Sequence, residues 1–355
     1  MEIPKLRIGS FTSDIPIIQG GMGVRVSLAS LASAVADEGG IGTISSIGLG
    51  DIEASKQEYE KVSREALKRE IRKAKSKTDG HLAVNFMGVL SNVDDLIKTS
   101  VDENIKMIVF GAGLPSKLPD LVHDPSVNLV PIISSARVAE LILRIWDKRY
   151  ERTADGLILE GPLAGGHLGF SEEQLEHPEE YSLEKLLPEV LECIKAFEDK
   201  YGRKIPVITG GGIYDGKDIA RMLSLGASGV QLGTRFVCTE ECGVSQEFKQ
   251  AYLDAKEEDI VIIKSPVGMP GRAIKNSFLK DLEIKGKMKI KCLYRCLTLC
   301  KVDKAQYCIA LALANSYFGD VEHGLIFCGQ NAYRIKKIIT VKELFQELLS
   351  GLKAA

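Results

Sequence analysis

A histidine inside a glycine-rich loop is the strongest chemical signal in this sequence. His167 lies in the stretch GPLAGGHLGF at residues 161–170, directly after the apolar run at residues 156–160. Glycines let a backbone approach a flat or anionic ligand closely, and histidine is the side chain most easily poised as an acid or base near neutral pH. A tight turn with a surface histidine is the alternative for this loop alone. We expect His167 to be a catalytic group beside a bound ligand.

Three further segments of small residues follow apolar runs in the same manner. They read GGMG at residues 20–23, GGG at residues 210–212 and GT at residues 233–234. Small residues expose backbone N–H groups, and the predicted helix at residues 215–225 offers its N-terminus to an anion, so a phosphate-bearing ligand is favoured. With the histidine loop, these segments supply the candidate cofactor-binding residues Gly21, Met22, Gly23, Ala164, Gly165, Gly166, Gly210, Gly211, Gly212, Gly233 and Thr234.

Polar residues end three of the apolar runs and complete the candidate site. Asn85 lies at the end of the third run and has an amide that can bond a ring edge or a substrate. Ser134 ends the fifth run, and Glu160 ends the sixth. We include all three among the cofactor-binding candidates, and we assign no residue to a metal.

The elements that must position these residues alternate between short apolar runs and amphipathic segments. Short unalternating runs indicate strands buried on both faces, as in a parallel sheet. The eight runs favour an α/β fold of the TIM (β/α)8 barrel type, in which sites form at the C-terminal ends of the strands. A doubly wound sheet is the structural alternative. The runs cover residues 15–19, 40–45, 82–87, 106–110, 129–134, 156–160, 206–209 and 229–233.

Two segments stand outside this repeat and set the expected domain organisation. A highly charged stretch at about 51–78 reads as a long solvated helix inserted after the second strand. We predict a barrel domain over residues 1–258 and a helical, cysteine-rich C-terminal extension over residues 259–355 that packs on the barrel.

Composition narrows the class of protein and its partners. The chain has 355 residues, 45% hydrophobic and 26% charged, with a formal net charge of −2. These values fit a globular protein that acts on a small-molecule substrate, and they give no case for nucleic acid or an anionic membrane. The N-terminus lacks the pattern of a signal peptide, so we expect a cytoplasmic protein. A homodimer is a possible assembly.

The order and spacing of the four small-residue motifs resemble the nitronate monooxygenase family, formerly called 2-nitropropane dioxygenases. Enoyl-ACP reductase II enzymes share the same motifs. The resemblance covers roughly residues 10–255 and implies a TIM barrel that binds FMN non-covalently. It also implies that His167 is the catalytic base or a substrate-positioning group. Family members often carry a glutamate where this chain has Leu163, and a glutamine where it has Glu160.

Two reactions are compatible with the resemblance. The first is the oxidation of alkyl nitronates or nitroalkanes with oxygen, in which His167 would remove the proton alpha to the nitro group. The alternative is an NAD(P)H-dependent enoyl reduction, in which His167 would orient the thioester carbonyl or donate a proton.

Four cysteines crowd into one short segment of the extension. Cys292, Cys296, Cys300 and Cys308 are spaced by four, four and eight residues, which predicts that they lie near one face of a helix. Four thiolates can hold an iron–sulfur cluster or zinc. The alternative is a set of buried thiols that act as small hydrophobic side chains.

Overall fold

The computed structural model describes residues 2–50, 55–290, 292, 295–298 and 300–355. Its strands are β1 (Leu6–Ile8), β2 (Phe11–Ser13), β3 (Ile17–Gln19), β4 (Gly42–Ser45), β5 (Leu82–Met87), β6 (Met107–Gly111), β7 (Asn128–Ile133), β8 (Leu157–Glu160), β9 (Gly166–His167), β10 (Val207–Gly210), β11 (Gly229–Leu232), β12 (Ile260–Lys264) and β13 (Pro270–Ile274).

Helices surround the strands. They are α1 (Ala29–Asp37), α2 (Lys56–Lys75), α3 (Val93–Asp102), α4 (Leu118–Leu121), α5 (Ala136–Tyr150), α6 (Glu172–Glu176), α7 (Leu183–Tyr201), α8 (Gly216–Ser224), α9 (Thr234–Val237), α10 (Gln246–Asp254), α11 (Ser277–Lys285), α12 (Ile309–Phe318) and α13 (Val341–Ala354). Short 3-10 turns lie at Pro178–Tyr181, Glu257–Asp259 and Gln330–Arg334. None of the described helices is long and apolar enough to cross a membrane.

Eight parallel strands form a closed barrel. Their hydrogen-bonded order is β3, β11, β10, β8, β7, β6, β5, β4. The ring closes between β3 and β4, where Ile41 N–H donates to Ile17 O at 3.0 Å and Gln19 N–H donates to Ile41 O at 2.9 Å. The predicted TIM barrel is therefore confirmed, and each predicted apolar run overlaps one of its strands.

Two apolar clusters hold the barrel together. The inner cluster contains fully buried residues from alternate strand positions, among them Ile18, Val109 and Ile208. The β1–β2 hairpin adds Leu6 and Ile8 to it and closes the N-terminal end of the barrel. The outer cluster fills the space between strands and helices. Because the hairpin closes one end, only the C-terminal ends of the strands remain open to a ligand.

The charged segment after the second strand forms the helix α2. Ser55 caps it in a box with Glu58, whose carboxylate accepts the Ser55 N–H at 3.1 Å. The helix packs on α1 and α3. The predicted inserted helix is present over Lys56–Lys75, and residues 51–54 of the predicted segment lie outside the described residues.

The last helix of the chain packs against the first. α13 contacts both α8 and α1, which is the position of the eighth helix of the barrel ring. Its approach to α8 is close, since a Cβ placed on Gly216 would lie 2.2 Å from Leu352 N. The segment between α9 and α13 therefore forms a long excursion between the eighth strand and the eighth helix. The predicted division at residue 258 stays a prediction, but the end of the extension contributes to the barrel itself.

Candidate active site

One large cavity opens at the C-terminal ends of the barrel strands. It contains about 1500 Å³ of space that no atom fills, part of it open to solvent. Most of the predicted site residues line it, namely Gly21, Met22, Gly23, Asn85, Glu160, Ala164, Gly165, Gly166, His167, Gly211, Gly212, Gly233 and Thr234. The structure therefore brings together loops that lie up to two hundred residues apart in the sequence.

Two of the predicted residues do not line this cavity. Ser134 faces the histidine loop, and a Cβ on Gly169 would lie 3.0 Å from its Cβ. Gly210 is the last residue of β10, and its carbonyl accepts the Gly161 N–H at 2.9 Å. Both residues lie beside the histidine loop and outside the lining of this cavity, and their role in cofactor binding stays a prediction.

The glycines after β3 allow a close approach between loops. A Cβ on Gly21 would lie 2.2 Å from the Cβ of Asn85, and a Cβ on Gly23 would lie 2.8 Å from the Cβ of Ile47. Asn85 itself is buried, and its carbonyl accepts the Ser46 hydroxyl at 2.8 Å. This side of the cavity is consequently a wall of backbone with one amide side chain, suited to a flat ring.

The glycines after β10 make a second cradle. Gly211 and Gly212 have φ values of +97° and +83°, which L-residues with side chains rarely adopt. A Cβ on Gly211 would also lie 2.9 Å from Ala164 N. The helix that follows does not offer its N-terminus as predicted, because the Asp215 carboxylate already accepts the N–H groups of Lys217 and Asp218, at 3.0 and 3.2 Å.

Basic side chains surround this second cradle. The guanidinium of Arg235 lies 4.4 Å from the ring centre of Tyr214, and that of Arg334 lies 3.9 Å from it. Arg235 also pairs with Glu347, and Arg334 pairs with Asp215. Tyr214 and Arg235 both line the cavity. Anionic groups of a ligand are therefore favoured at this end.

His167 is fixed by the C-terminal extension. Its Nε2 lies 2.8 Å from Ser265 Oγ, and its ring meets Phe327 edge to face at 5.0 Å. Burial lowers the pKa of His167 to about 4, so the imidazole is neutral at physiological pH. The Val267 N–H donates to Ser265 Oγ at 3.3 Å. The Ser265 hydroxyl can donate to Nε2, which would place the histidine proton on Nδ1, or it can accept from a protonated Nε2.

Glu160 contributes a carboxyl to the same cavity. Burial raises its pKa to about 7, and its Oε1 accepts a long hydrogen bond of 3.4 Å from Gln231 Nε2. The other amide atom of that residue, Gln231 Oε1, is buried and has no partner among the described residues. The cavity thus contains the Glu160 carboxyl, which can hold a proton near neutral pH, and the Gln231 amide oxygen, which a donor on a ligand would satisfy.

The extension also holds the glycine loop before His167 in place. Buried Arg272 donates to Pro162 O at 2.7 Å and to Ala164 O at 2.5 Å. Gln330 N–H donates to Leu163 O at 3.1 Å, and Asn331 Nδ2 donates to Gly212 O at 2.7 Å. Sequence reasoning missed these residues, because no local pattern connects them to the barrel.

A match to a protein-family model establishes the family of the chain. The nitronate monooxygenase model covers residues 5–351. The chain belongs to the nitronate monooxygenase family. The family resemblance that the motifs predicted is thereby confirmed.

Relatives and solved structures of this family member carry different names. It is 30% identical over 268 residues to a (3aS,4S,5R,7aS)-5-hydroxy-7a-methyl-1-oxo-octahydro-1H-indene-4-carboxyl-CoA dehydrogenase of Mycobacterium tuberculosis, covering 76% of this chain and 65% of that relative. It is 26% identical to a probable nitronate monooxygenase of Staphylococcus haemolyticus, covering 77% of this chain and 79% of the other. FabK from Thermotoga maritima has a TM-score of 0.73 at 27% identity, covering 96% and 93% of the two chains.

The cavity of this nitronate monooxygenase family member fits an FMN molecule. The glycine wall beside Asn85 suits the flat ring, since any side chain at Gly21 would collide with Asn85. The unpartnered Gln231 Oε1 suits a ring N–H. The cradle at Gly211 and Gly212, with Arg235 nearby, suits the phosphate. The binding roles of the individual residues stay predictions.

Proposed function

We propose that this protein oxidises alkyl nitronates with oxygen in an FMN-dependent reaction. The observation that carries the proposal is the place of His167, which lines the glycine-rich cavity as a neutral, hydrogen-bonded imidazole. Bound FMN supplies the electron-accepting chemistry. The residues of the chain bind the substrate, orient it and control its proton.

The environment of His167 favours a positioning role over a role as general base. A group with a pKa of about 4 is too weak a base to remove a proton efficiently at neutral pH. With Nε2 accepting from Ser265, the Nδ1–H is the atom that can donate to a nitronate oxygen. A donor in a cavity that excludes water stabilises the negative charge of such a substrate.

Glu160 is the residue that can exchange a proton with the substrate. Its pKa of about 7 lies close to the operating pH, where a general acid or base is most effective. Its protonated form also avoids repulsion of an anionic nitronate, and its ionised form would accept the proton of a neutral nitroalkane. Within one cavity, burial thus raises the pKa of Glu160 and lowers the pKa of His167.

The test is oxygen consumption by FMN-loaded protein with an alkyl nitronate. We expect His167→Ala to lower kcat/KM by about tenfold to a hundredfold at unchanged FMN content, as for the loss of one oriented donor. His323→Ala is the matched control, because that histidine is exposed and its ring bonds to Asp320 within the extension. Failure of the wild-type protein to consume oxygen with any nitronate would refute the proposal.

An acyl thioester is the second candidate substrate. The curated relative at 30% identity is named as a dehydrogenase of a carboxyl-CoA compound, and a carboxyl such as Glu160 suits proton transfer next to a thioester carbonyl. The discriminating measurement is anaerobic NADH consumption with crotonyl-CoA. Rapid turnover there, with no oxygen consumption on nitronates, would replace the first proposal by this one.

A further inference from the structure

The four cysteines of the extension do not lie along one helix. We call Cys292, Cys296, Cys300 and Cys308 the four-cysteine group. Its described residues before 301 form no helix, and Cys308 is the N-cap of α12. The predicted helical face is therefore wrong. The physical reason is that residues 296–298 bond to the barrel instead of to one another.

The loop that carries three of these cysteines is anchored on the barrel. Ser91 N–H donates to Cys296 O at 3.0 Å, and Thr298 N–H donates to Val89 O at 2.9 Å. Leu297 forms an antiparallel bridge with Leu90. The loop thus extends the backbone that follows β5, and its sulfur atoms are held by a fixed support.

The backbone brings the segments of the four-cysteine group together, because Met288 N–H donates to Gln306 O at 2.7 Å and so places the residues before Cys292 beside those before Cys308. Burial raises the pKa of Cys296 to about 12, and the other three thiols add to that rise. Burial is the main cause of the raised pKa of Cys300, and the thiols of Cys292 and Cys308 raise that pKa further. The pKa of Cys308 is likewise raised by burial, with Cys292 contributing. Every pair in the group is therefore close enough to interact, although all eight cysteines of the chain are free thiols.

The surroundings suit a bound group of negative charge. Cys308 is the N-cap of α12, where the helix dipole favours an anion. Lys289, Arg295 and Lys301 flank the cysteines in the sequence and are exposed. A cluster ligated by four thiolates has a net negative charge, which these groups compensate.

We propose that the four-cysteine group binds an iron–sulfur cluster. The backbone pairing of the segments that carry these cysteines, beside a fixed loop and a helix N-terminus, is the observation that supports this site. Across the parts of the chain that the structure describes, no three His, Cys, Asp or Glu side chains are already spaced to hold a single metal ion. The ligands of one zinc ion must crowd within bonding distance of one point. The four thiolates of a four-iron cluster each bind a different iron, so they stand further apart.

The proposed cluster lies beside the FMN cavity rather than within it. None of the four cysteines lines that cavity, but Leu313 of α12 does. Five residues separate Cys308 from Leu313, which corresponds to about 7.5 Å along a helix. The cluster is consequently independent of the substrate proposal, and its loss is expected to leave the glycine cradle intact.

The test is the iron and acid-labile sulfide content of protein purified without oxygen. We expect about four iron and four sulfide per chain in the wild type, with an electron paramagnetic resonance signal after reduction by dithionite. Cys296→Ser should lose most of the iron and sulfide while it retains FMN. Cys193→Ser is the matched control, because Cys193 lies on α7 at a distance from the group in the fold.

Several outcomes would overturn the proposal. They are wild-type protein that contains no iron and takes up none when Fe²⁺ and sulfide are added, protein that contains one zinc per chain in place of iron, and a Cys296→Ser variant that retains its iron. If Cys296→Ser does not fold, chelation of the wild-type cluster followed by reconstitution with Fe²⁺ and sulfide decides the matter. FMN content and nitronate turnover, measured on the same samples, report separately on the proposed function.

Discussion

Replacement of Glu160 by glutamine should remove a large pH dependence from the stability of the protein. Burial raises the Glu160 pKa from 4.5 to about 7 in the folded state. Between these two values the folded protein holds a proton that the unfolded chain has released. The folded state therefore loses stability as the pH rises through this window, and the loss is complete above about pH 7.

The size of the effect follows from the two pKa values. At roughly 1.4 kcal/mol per pKa unit, the difference between 4.5 and about 7 corresponds to at most about 3.5 kcal/mol. Glutamine has nearly the same shape and can still bond Gln231, but it does not titrate. As the pH rises from 5 to 8, we expect the free energy of unfolding of Glu160→Gln to increase by up to about 3 kcal/mol relative to that of the wild type.

Urea unfolding of FMN-free protein at a series of pH values measures this difference. The matched control is Glu173→Gln, the same chemical change at an exposed position on α6. A difference between Glu160→Gln and the wild type that stays constant from pH 5 to pH 8 would refute the reasoning. It would mean that the carboxyl is solvated in the cavity and ionises at its ordinary pKa.

Three further substitutions test the support of the cavity. Ser265→Ala should lower nitronate kcat/KM about fivefold with FMN content unchanged, because a hydrogen bond to His167 contributes about 1 kcal/mol; equal activity would contradict this positioning role. Arg272→Met should lower the free energy of unfolding in urea by about 2 kcal/mol or more, since two buried carbonyl oxygens lose their donor; an unchanged urea midpoint would contradict this expectation. Gly211→Ala should lower the FMN retained per chain, because its Cβ would lie 2.9 Å from Ala164 N at a φ of +97°, whereas Gly243→Ala, with nothing within 4 Å, should retain FMN fully.

The sequence predicts the barrel well because its strands are buried on both faces. Runs such as residues 156–160 and 229–233 contain no polar alternation, which is typical of a parallel sheet. The role of α13 could not be predicted in the same way. Its amphipathic pattern indicates a helix, but only the tertiary contact at Gly216 and Leu352 shows that it completes the barrel ring.

The candidate site likewise contains residues that local motifs predict and residues that only tertiary contacts reveal. Local motifs predict Gly21, Gly211 and His167 because glycine and histidine after a strand have a direct chemical meaning. One signal was overlooked, since Gln231 is a polar residue inside an apolar strand. The partners Ser265, Phe327 and Arg272 give no such signal, because tertiary pairing brings them to the histidine loop: β13 pairs with β9, β12 pairs with β13, and Phe327 forms a bridge with Ala273.

The cavity is built from two parts of the chain, and this explains why the motifs cannot identify the substrate. The glycine cradles come from the barrel strands and form the predicted FMN site. The wall opposite them comes from the extension, through Phe327, Gln330 and Asn331. A change in that wall alters the shape and polarity that a substrate meets, while the FMN cradle stays the same. Two reactions can therefore share one set of motifs, and the residues that separate nitronate from thioester substrates are expected in the excursion between the eighth strand and the eighth helix.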